Sequence, residues 1–386
     1  MSSRRLIILL AIAAGILSAC SSDSDSEPTP EPIDSALPVQ TPAPAPTPAV
    51  TNTPTPMPTS APEPTPQATP ETMPTPRPTA TPESAPLPED EPAAWYIDMI
   101  ADRDYDGCCI ERLRVYEEGA NFTSWVIAYQ GDGLRLTGLM AVPRGEGPFP
   151  VAIFNHGYFP FDQYDTGYDT LREVRYMANA GYLAIAPDYR NYAGSDAGDH
   201  IFEPGYVYDV RNLIEALKEF PEADADRIGM SGHSMGGGIT LQNIVSGAEI
   251  QAAVLYGTVT GDEAKRYEAR ITRWADSGSA GSNRAVDFSD RYGTPEESPE
   301  IYDRMSPNNY LDRVEVPVLI HHGDADTITP LEWAYNIEAG LQEAGKPVEM
   351  HVYEGAGHSF QGYYFELMMN RTLEFFDEHV RGAGTD

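Results

Sequence analysis

After residue 120 the chain alternates short unbroken apolar runs with segments whose apolar positions return every three or four residues. Val151–Asn155, Tyr182–Ala186, Arg227–Ser231, Ala252–Tyr256, Val316–Ile320 and Val348–Val352 have the length and composition of buried strands. Residues 170–180, Met235–Val245 and Leu331–Ala344 read as helices. Val207, Val210, Leu213, Ile214 and Leu217 keep helical spacing, and Phe365, Met369, Leu373, Phe376 and Val380 stripe a last helix. Ser124–Gln130 and Leu134–Val142 flank Gly131-Asp132-Gly133, which is a hairpin signal. Strands alternating with helices predict an α/β fold, with a mostly parallel sheet covered on both faces. Residues 261–312 break the alternation. They are polar and rich in Gly and Ser, and predict an inserted cap.

The first 92 residues show no such pattern. Of the 35 prolines, 22 lie between Glu27 and Pro92, and no aromatic residue precedes Trp95. A segment of this kind buries too little apolar surface to offset the entropy of ordering. Residues 21–92 therefore read as a disordered Pro/Thr-rich stalk. In extended polyproline form it would reach roughly 200 Å at ~3.1 Å per residue. Residues 1–20 are an address. Arg4 and Arg5 precede the apolar run Leu6–Leu17, which is shorter than an ordinary membrane span. Leu17-Ser18-Ala19-Cys20 resembles a bacterial lipobox, which implies lipidation at Cys20 and anchoring to the outer face of a membrane in the cell envelope. The foldable part is then residues 93–386, large enough for one α/β domain.

Charge removes another class. Asp and Glu number 59 against 25 Lys and Arg, a net of -34. Such a surface repels phosphate backbones and argues against nucleic-acid binding. Three cysteines are too few for a disulfide scaffold. With Cys20 lipidated, Cys108 and Cys109 have only each other. Neighbouring Cα atoms stand closer than a disulfide prefers, so two thiols are expected.

The chemistry centres on Gly232-His233-Ser234-Met235-Gly236, a Gly-x-Ser-x-Gly motif between a predicted strand and a predicted helix. So tight a turn requires small flanking residues and lifts the serine hydroxyl above the sheet, and the Met235 N–H falls at a helix N-terminus, where an anion is favoured. A serine needs a base, and the base an orienting acid. His358 follows a strand in Glu354-Gly355-Ala356-Gly357-His358 and is the candidate base. His321 and His322 end a strand, His351 lies within one, and packing roles suit all three. Either Asp324 or Asp326, in Gly323-Asp324-Ala325-Asp326, could reach His358. Asn155-His156-Gly157-Tyr158 follows an early strand, where a second oxyanion donor is needed. Asp188 and Arg190 end another strand and are expected to brace the neighbouring loop.

The elbow, together with Asp188-Tyr189-Arg190, His322-Gly323-Asp324-Ala325-Asp326 and Gly355-Ala356-Gly357-His358, resembles the catalytic domain of the prolyl oligopeptidase and dienelactone hydrolase branch of α/β-hydrolases, over roughly Tyr116–Val380. The resemblance implies a Ser234–Asp326–His358 triad, with Asp324 as structural neighbour, and an oxyanion hole from the Tyr158 and Met235 N–H groups. Bacterial cutinases are similar at the elbow. Oligopeptidases of this branch carry a large propeller before the catalytic domain, and a stalk stands there in this chain. That difference favours a carboxylic-ester substrate over a short peptide. No metal or organic cofactor is implied. The rival expectation is a non-catalytic lipoprotein that keeps the fold as a binding module.

Overall fold

The computed structural model describes residues 93–198, 204–272 and 280–382. Cys20, the signal-like run and the stalk lie outside the described residues. In chain order the elements are α1 (Ile97–Asp102), β1 (Cys108–Glu118), β2 (Phe122–Gly131), β3 (Leu134–Pro143), β4 (Phe149–Asn155), α2 (Leu171–Asn179), β5 (Leu183–Pro187), α3 (Pro204–Lys218), β6 (Ala223–His233) and α4 (Met235–Val245). There follow β7 (Ala252–Tyr256), α5 (Glu263–Ile271), α6 (Ala280–Tyr292), α7 (Pro299–Met305), β8 (Val318–Gly323), α8 (Leu331–Glu343), β9 (Val348–Tyr353) and α9 (Gly362–Phe376).

The described strands form one sheet in the order β1-β2-β3-β5-β4-β6-β7-β8-β9. β1, β2, β3 and β5 pair antiparallel along the sheet, and every pair from β5 through β9 is parallel. Strand side chains alternate between faces, so a strand covered on both sides must be apolar throughout. On β4, Val151 and Ile153 join Val207 of α3, Ile239 of α4 and Ala334 of α8 in one core. Ala152 and Phe154 point the other way, to Val174 of α2 and to Phe365 and Phe376 of α9. β8 divides likewise, with Val318 and Ile320 on the first face and Leu319 on the second. This is why unbroken apolar runs, and not alternation, marked the central strands.

The β2–β3 hairpin turns on Asp132 (φ 56°) and Gly133 (φ 73°), with Gly131 opposite Leu134. Two successive positive φ angles are what a two-residue turn matching strand twist requires.

Two elements carry no apolar signal. β1 is an edge strand bearing Glu111, Arg112, Arg114, Glu117 and Glu118, mostly exposed, and its pairing comes from β2 alone. α1 is short and buries only Ile97 and Ile100. Cys108 and Cys109, at the start of β1, were expected as thiols; the structure joins them in a disulfide with Cα atoms 3.7 Å apart. That expectation weighed Cα separation and left out backbone conformation: Cys109 takes a positive φ of 66°.

Between β7 and β8 the segment read as a cap forms α5, α6 and α7 and a 3₁₀ turn, Pro307–Arg313. Tyr267, Phe288, Tyr302 and Met305 pack there with Ala93 and Tyr96 from the start of the described chain. The Asp262 carboxylate accepts from the Lys265 N–H at 3.0 Å, capping α5.

After β5 the Arg190 guanidinium grips the fully buried Asp209 of α3, with Nη2 2.7 Å and Nε 3.0 Å from Oδ1. This pair ties the β5 loop to α3. Arg190 Nη2 also lies 3.2 Å from Asp132 Oδ2, so removing Arg190 is the damaging half: it leaves the Asp209 charge buried without its ion-pair partner, at a cost of ~3–5 kcal/mol. Arg190→Met is expected to lose that much stability in urea unfolding. Arg190→Met with Asp209→Leu should recover most of it.

Candidate active site

Ser234 is the single residue between the end of β6 and the start of α4. It sits at φ 56°, ψ -116°, which non-glycine residues rarely adopt, at a typical cost of ~1–3 kcal/mol. The surrounding backbone holds it there. The Ser234 N–H donates to the Tyr256 carbonyl at 2.9 Å, and the Ser234 carbonyl accepts from the Gly237 N–H at 3.0 Å. A Cβ on Gly232 would stand 2.0 Å from the Gly236 carbonyl oxygen, and a Cβ on Gly236 would stand 2.0 Å from that of Asn155. Both positions therefore admit only glycine. Met235 opens α4, where the first-turn N–H groups have no partner within the helix.

Asn155 ends β4 and donates through Nδ2 to Thr240 of α4 at 2.9 Å. The following loop runs close to the elbow: a Cβ on Gly157 would touch Ser234 Cβ at 3.4 Å. The fully buried His156 fixes the loop. Its ring lies between Tyr164 and Tyr189, with centroids 4.4 and 4.3 Å away, and its Nε2 is 3.1 Å from the Asp188 carbonyl oxygen. Burial holds its pKa below the ordinary histidine value. The Asp188 carboxylate accepts from the hydroxyls of Thr137, Thr166 and Tyr164, and burial pushes it up to about 6 in spite of them. Asp188 and Arg190 thus hold loops and stand apart from the elbow serine. Tyr158 follows Gly157 and is partly exposed.

His358 lies on the loop after β9, its Nδ1 2.7 Å from Asp326 Oδ2. The Asp326 side chain is fully buried. It accepts from the Ile328 and Thr329 N–H groups at 2.8 and 2.9 Å and from the Thr329 hydroxyl at 2.6 Å. Burial alone would raise its pKa; the bonds from His358 and Thr329 outweigh burial and bring it to about 2. Asp324 points elsewhere and accepts from the Gly355 N–H at 2.6 Å, pinning the base of the His358 loop. The spacing left two aspartates open; the structure puts Asp326, and not Asp324, on His358.

His321 contacts Thr372 and Tyr353, and His351 contacts Glu349. His322 Nε2 is 2.9 Å from the Thr329 carbonyl oxygen and 3.5 Å from Asp326 Oδ2, so it backs the acid while His358 holds the shorter contact. The ring of His233, next to Ser234, lies 4.7 Å from that of His358, so the His–Asp pair stands at the elbow. The sequence reading missed Thr329, which buttresses Asp326, and Asp169, which accepts from the Gly157 N–H at 2.9 Å. A Thr three residues after an Asp is an ordinary turn signal that could have marked the first. Asp169 lies in no motif.

A mostly parallel sheet with a strained serine between strand and helix is the α/β-hydrolase fold. Residues 136–371 match the dienelactone hydrolase family, and the chain belongs to that family of hydrolases. It is 27% identical over 254 residues to "Uncharacterized peptidase YtmA" of Bacillus subtilis, covering 65% of this chain and 92% of that one. Its fold resembles acetyl xylan esterase 1 from Thermoanaerobacterium sp., with a TM-score of 0.55 and 22% identity over 75% of this chain and 94% of the esterase. It also resembles the acylaminoacyl peptidase of Pyrococcus horikoshii, with a TM-score of 0.52 and 23% identity over 69% of this chain. It spans only 43% of that peptidase. Esterases and peptidases thus both stand among its neighbours.

The close approach of Gly236 to Asn155 makes a sharp prediction. Gly236→Ala forces β4 and α4 apart and should cost at least the upper end of the ~1–3 kcal/mol typical of overpacking. A thermal melt of the purified variant beside wild type measures it.

Proposed function

We propose that the protein is a serine hydrolase that cleaves carboxylic esters through an acyl-enzyme. The observation that carries this reading is the 2.7 Å contact of His358 with Asp326 beside a serine held at positive φ. In this reading His358 Nε2 takes the Ser234 proton as Oγ attacks the ester carbonyl. Asp326 accepts from Nδ1–H, which fixes the tautomer and favours the imidazolium that forms. The N–H groups of Met235 and Tyr158 receive the tetrahedral oxyanion. His358 then returns the proton to the leaving alcohol, and water repeats the sequence to free the acid.

The ester reading is supported by the match to the dienelactone hydrolase family, a lactone being a cyclic ester. The peptidase reading is supported by the likeness to YtmA. A panel of nitrophenyl esters and peptide nitroanilides separates the two. The ester reading expects turnover of esters at least tenfold faster than of any anilide, and anilides turned over faster would overturn it. Ser234→Ala should abolish turnover while leaving the melting temperature within a few degrees. Asp326→Asn should lose orders of magnitude in kcat, as an orienting acid does, where the serine-protease case loses ~10⁴. Asp324→Asn should lower stability by ~0.5–3 kcal/mol with kcat largely kept.

The lipobox-like Leu17-Ser18-Ala19-Cys20 supports anchoring through Cys20 to the outer face of a bacterial membrane, with the stalk holding the domain away from it. Wild type should fractionate with membranes and Cys20→Ala should not. Equal partitioning of the two would contradict the anchor.

A further inference from the structure

The residue before the nucleophile has two ring nitrogens and two acceptors. His233 Nδ1 lies 3.1 Å from Asp169 Oδ2, and Nε2 lies 3.1 Å from the carbonyl oxygen of His358. A backbone carbonyl can only accept, and so can an ionised carboxylate. Asp169 Oδ2 is already an acceptor for the Gly157 N–H. A neutral imidazole carries one N–H and could satisfy one of these contacts, not both.

We infer that His233 is an imidazolium and, through its two N–H groups, a positioning residue that ties the His358 loop to the loop carrying Tyr158. The inference rests on the acyl-transfer reading above for what is positioned. Asp169 is the hinge of the clamp: one carboxylate oxygen holds both the oxyanion-side loop, through Gly157, and the elbow, through His233. The other end of His233 holds the backbone of His358 itself. Three loops that must keep sub-ångström register thus share one ion pair.

The surrounding charges agree. The Asp169 side chain is largely enclosed, and burial would raise its pKa, but His233 and the Gly157 N–H hold it well below the carboxylate range. Burial lowers that of His233, and Asp169 more than reverses it. Tyr256 of β7 stacks on the ring at 4.5 Å. From α2, Glu173 faces the same small cavity, lined also by Asp169, His233, Tyr256 and Thr372. The Glu173 Oε2 atom is buried without a partner, and burial pushes its carboxyl up to about 7, with Arg172 nearby pulling it down. Ionisation of Glu173 above that pH adds negative charge beside His233 and favours its proton. His322 and His358 are the other titratable groups within its electrostatic reach. The Asp169–His233 pair is neutral as a unit, so it does not oppose the charge that His358 gains as base.

The pH dependence follows in sign. A histidine with a raised folded pKa contributes its full stabilisation below about 6.5, its unfolded value, and loses it as pH rises through the folded pKa. Asp169, depressed, contributes above about 3.9 and loses its share only as pH falls through its own low folded pKa. The clamp is therefore intact in weakly acidic solution and released on the alkaline side.

The direct test is ¹⁵N NMR of the full chain labelled at histidine, with His233→Gln to assign the resonance. Both His233 nitrogens should carry protons at pH 7, with a midpoint above 7 that falls by more than one unit in Asp169→Asn. A single protonated nitrogen at pH 7 overturns the inference, whatever the enzyme's activity. On the best ester of the panel, the alkaline limb of kcat should follow the His233 midpoint and move to lower pH in Asp169→Asn, whose kcat at pH 8 should fall about 10- to 100-fold, as for a misplacement of about 1 Å. An alkaline limb unmoved by Asp169→Asn would also overturn it. If no ester is turned over by wild type, the ester reading fails, and the NMR result still decides the state of His233.

Discussion

The structure depends on how closely the backbone of the elbow approaches its neighbours. Gly232, Gly236 and the Asn155 carbonyl are packed so that no Cβ fits between them. That contact brings the N-terminus of α4 down onto the end of β4. It sets Ser234 at the top of the turn with positive φ, and it places the loop after β4 against the serine. The strain at Ser234 persists because β6, α4 and β7 each grip one of its backbone groups or neighbours.

The rest of the site follows from a parallel sheet. Parallel strands end at the same edge, so the segments after β4, β6, β8 and β9 gather there. Each supplies one part: the His156-Gly157-Tyr158 loop, Ser234, Asp326 and His358. Polar side chains then lock the loops. Asp326 is held by the Ile328 and Thr329 amides, Asp324 secures Gly355, and His156 is stacked between tyrosines. The acid that contacts His358 is thus the one enclosed by its own turn, and the exposed neighbour is left to hold the loop.

The sequence was most legible where burial on two faces leaves no choice of residue. β4, β5, β7 and β8 appeared as apolar runs, and α4 was bounded correctly because the motif marks its start. β1 was invisible because an edge strand with exposed charges is specified by its partner and not by its own pattern. The Cys108–Cys109 link was misjudged because separation along the chain does not reveal a positive φ. Asp326 could be told from Asp324 only through family spacing, since two aspartates in one turn look alike until their hydrogen bonds are seen. His233 was read only as the variable position of the motif, and its partner Asp169 is 64 residues away.

The central claim is a covalent acyl-enzyme at Ser234, and a trapped intermediate tests it most directly. The full chain is mixed with a slowly deacylating nitrophenyl ester, quenched in acid during the burst, digested and mapped by mass spectrometry. The account predicts one acyl group, on the peptide containing Gly232-His233-Ser234-Met235-Gly236 and on Ser234 within it. Steady turnover with no acylated peptide, or acylation at another residue, would contradict it.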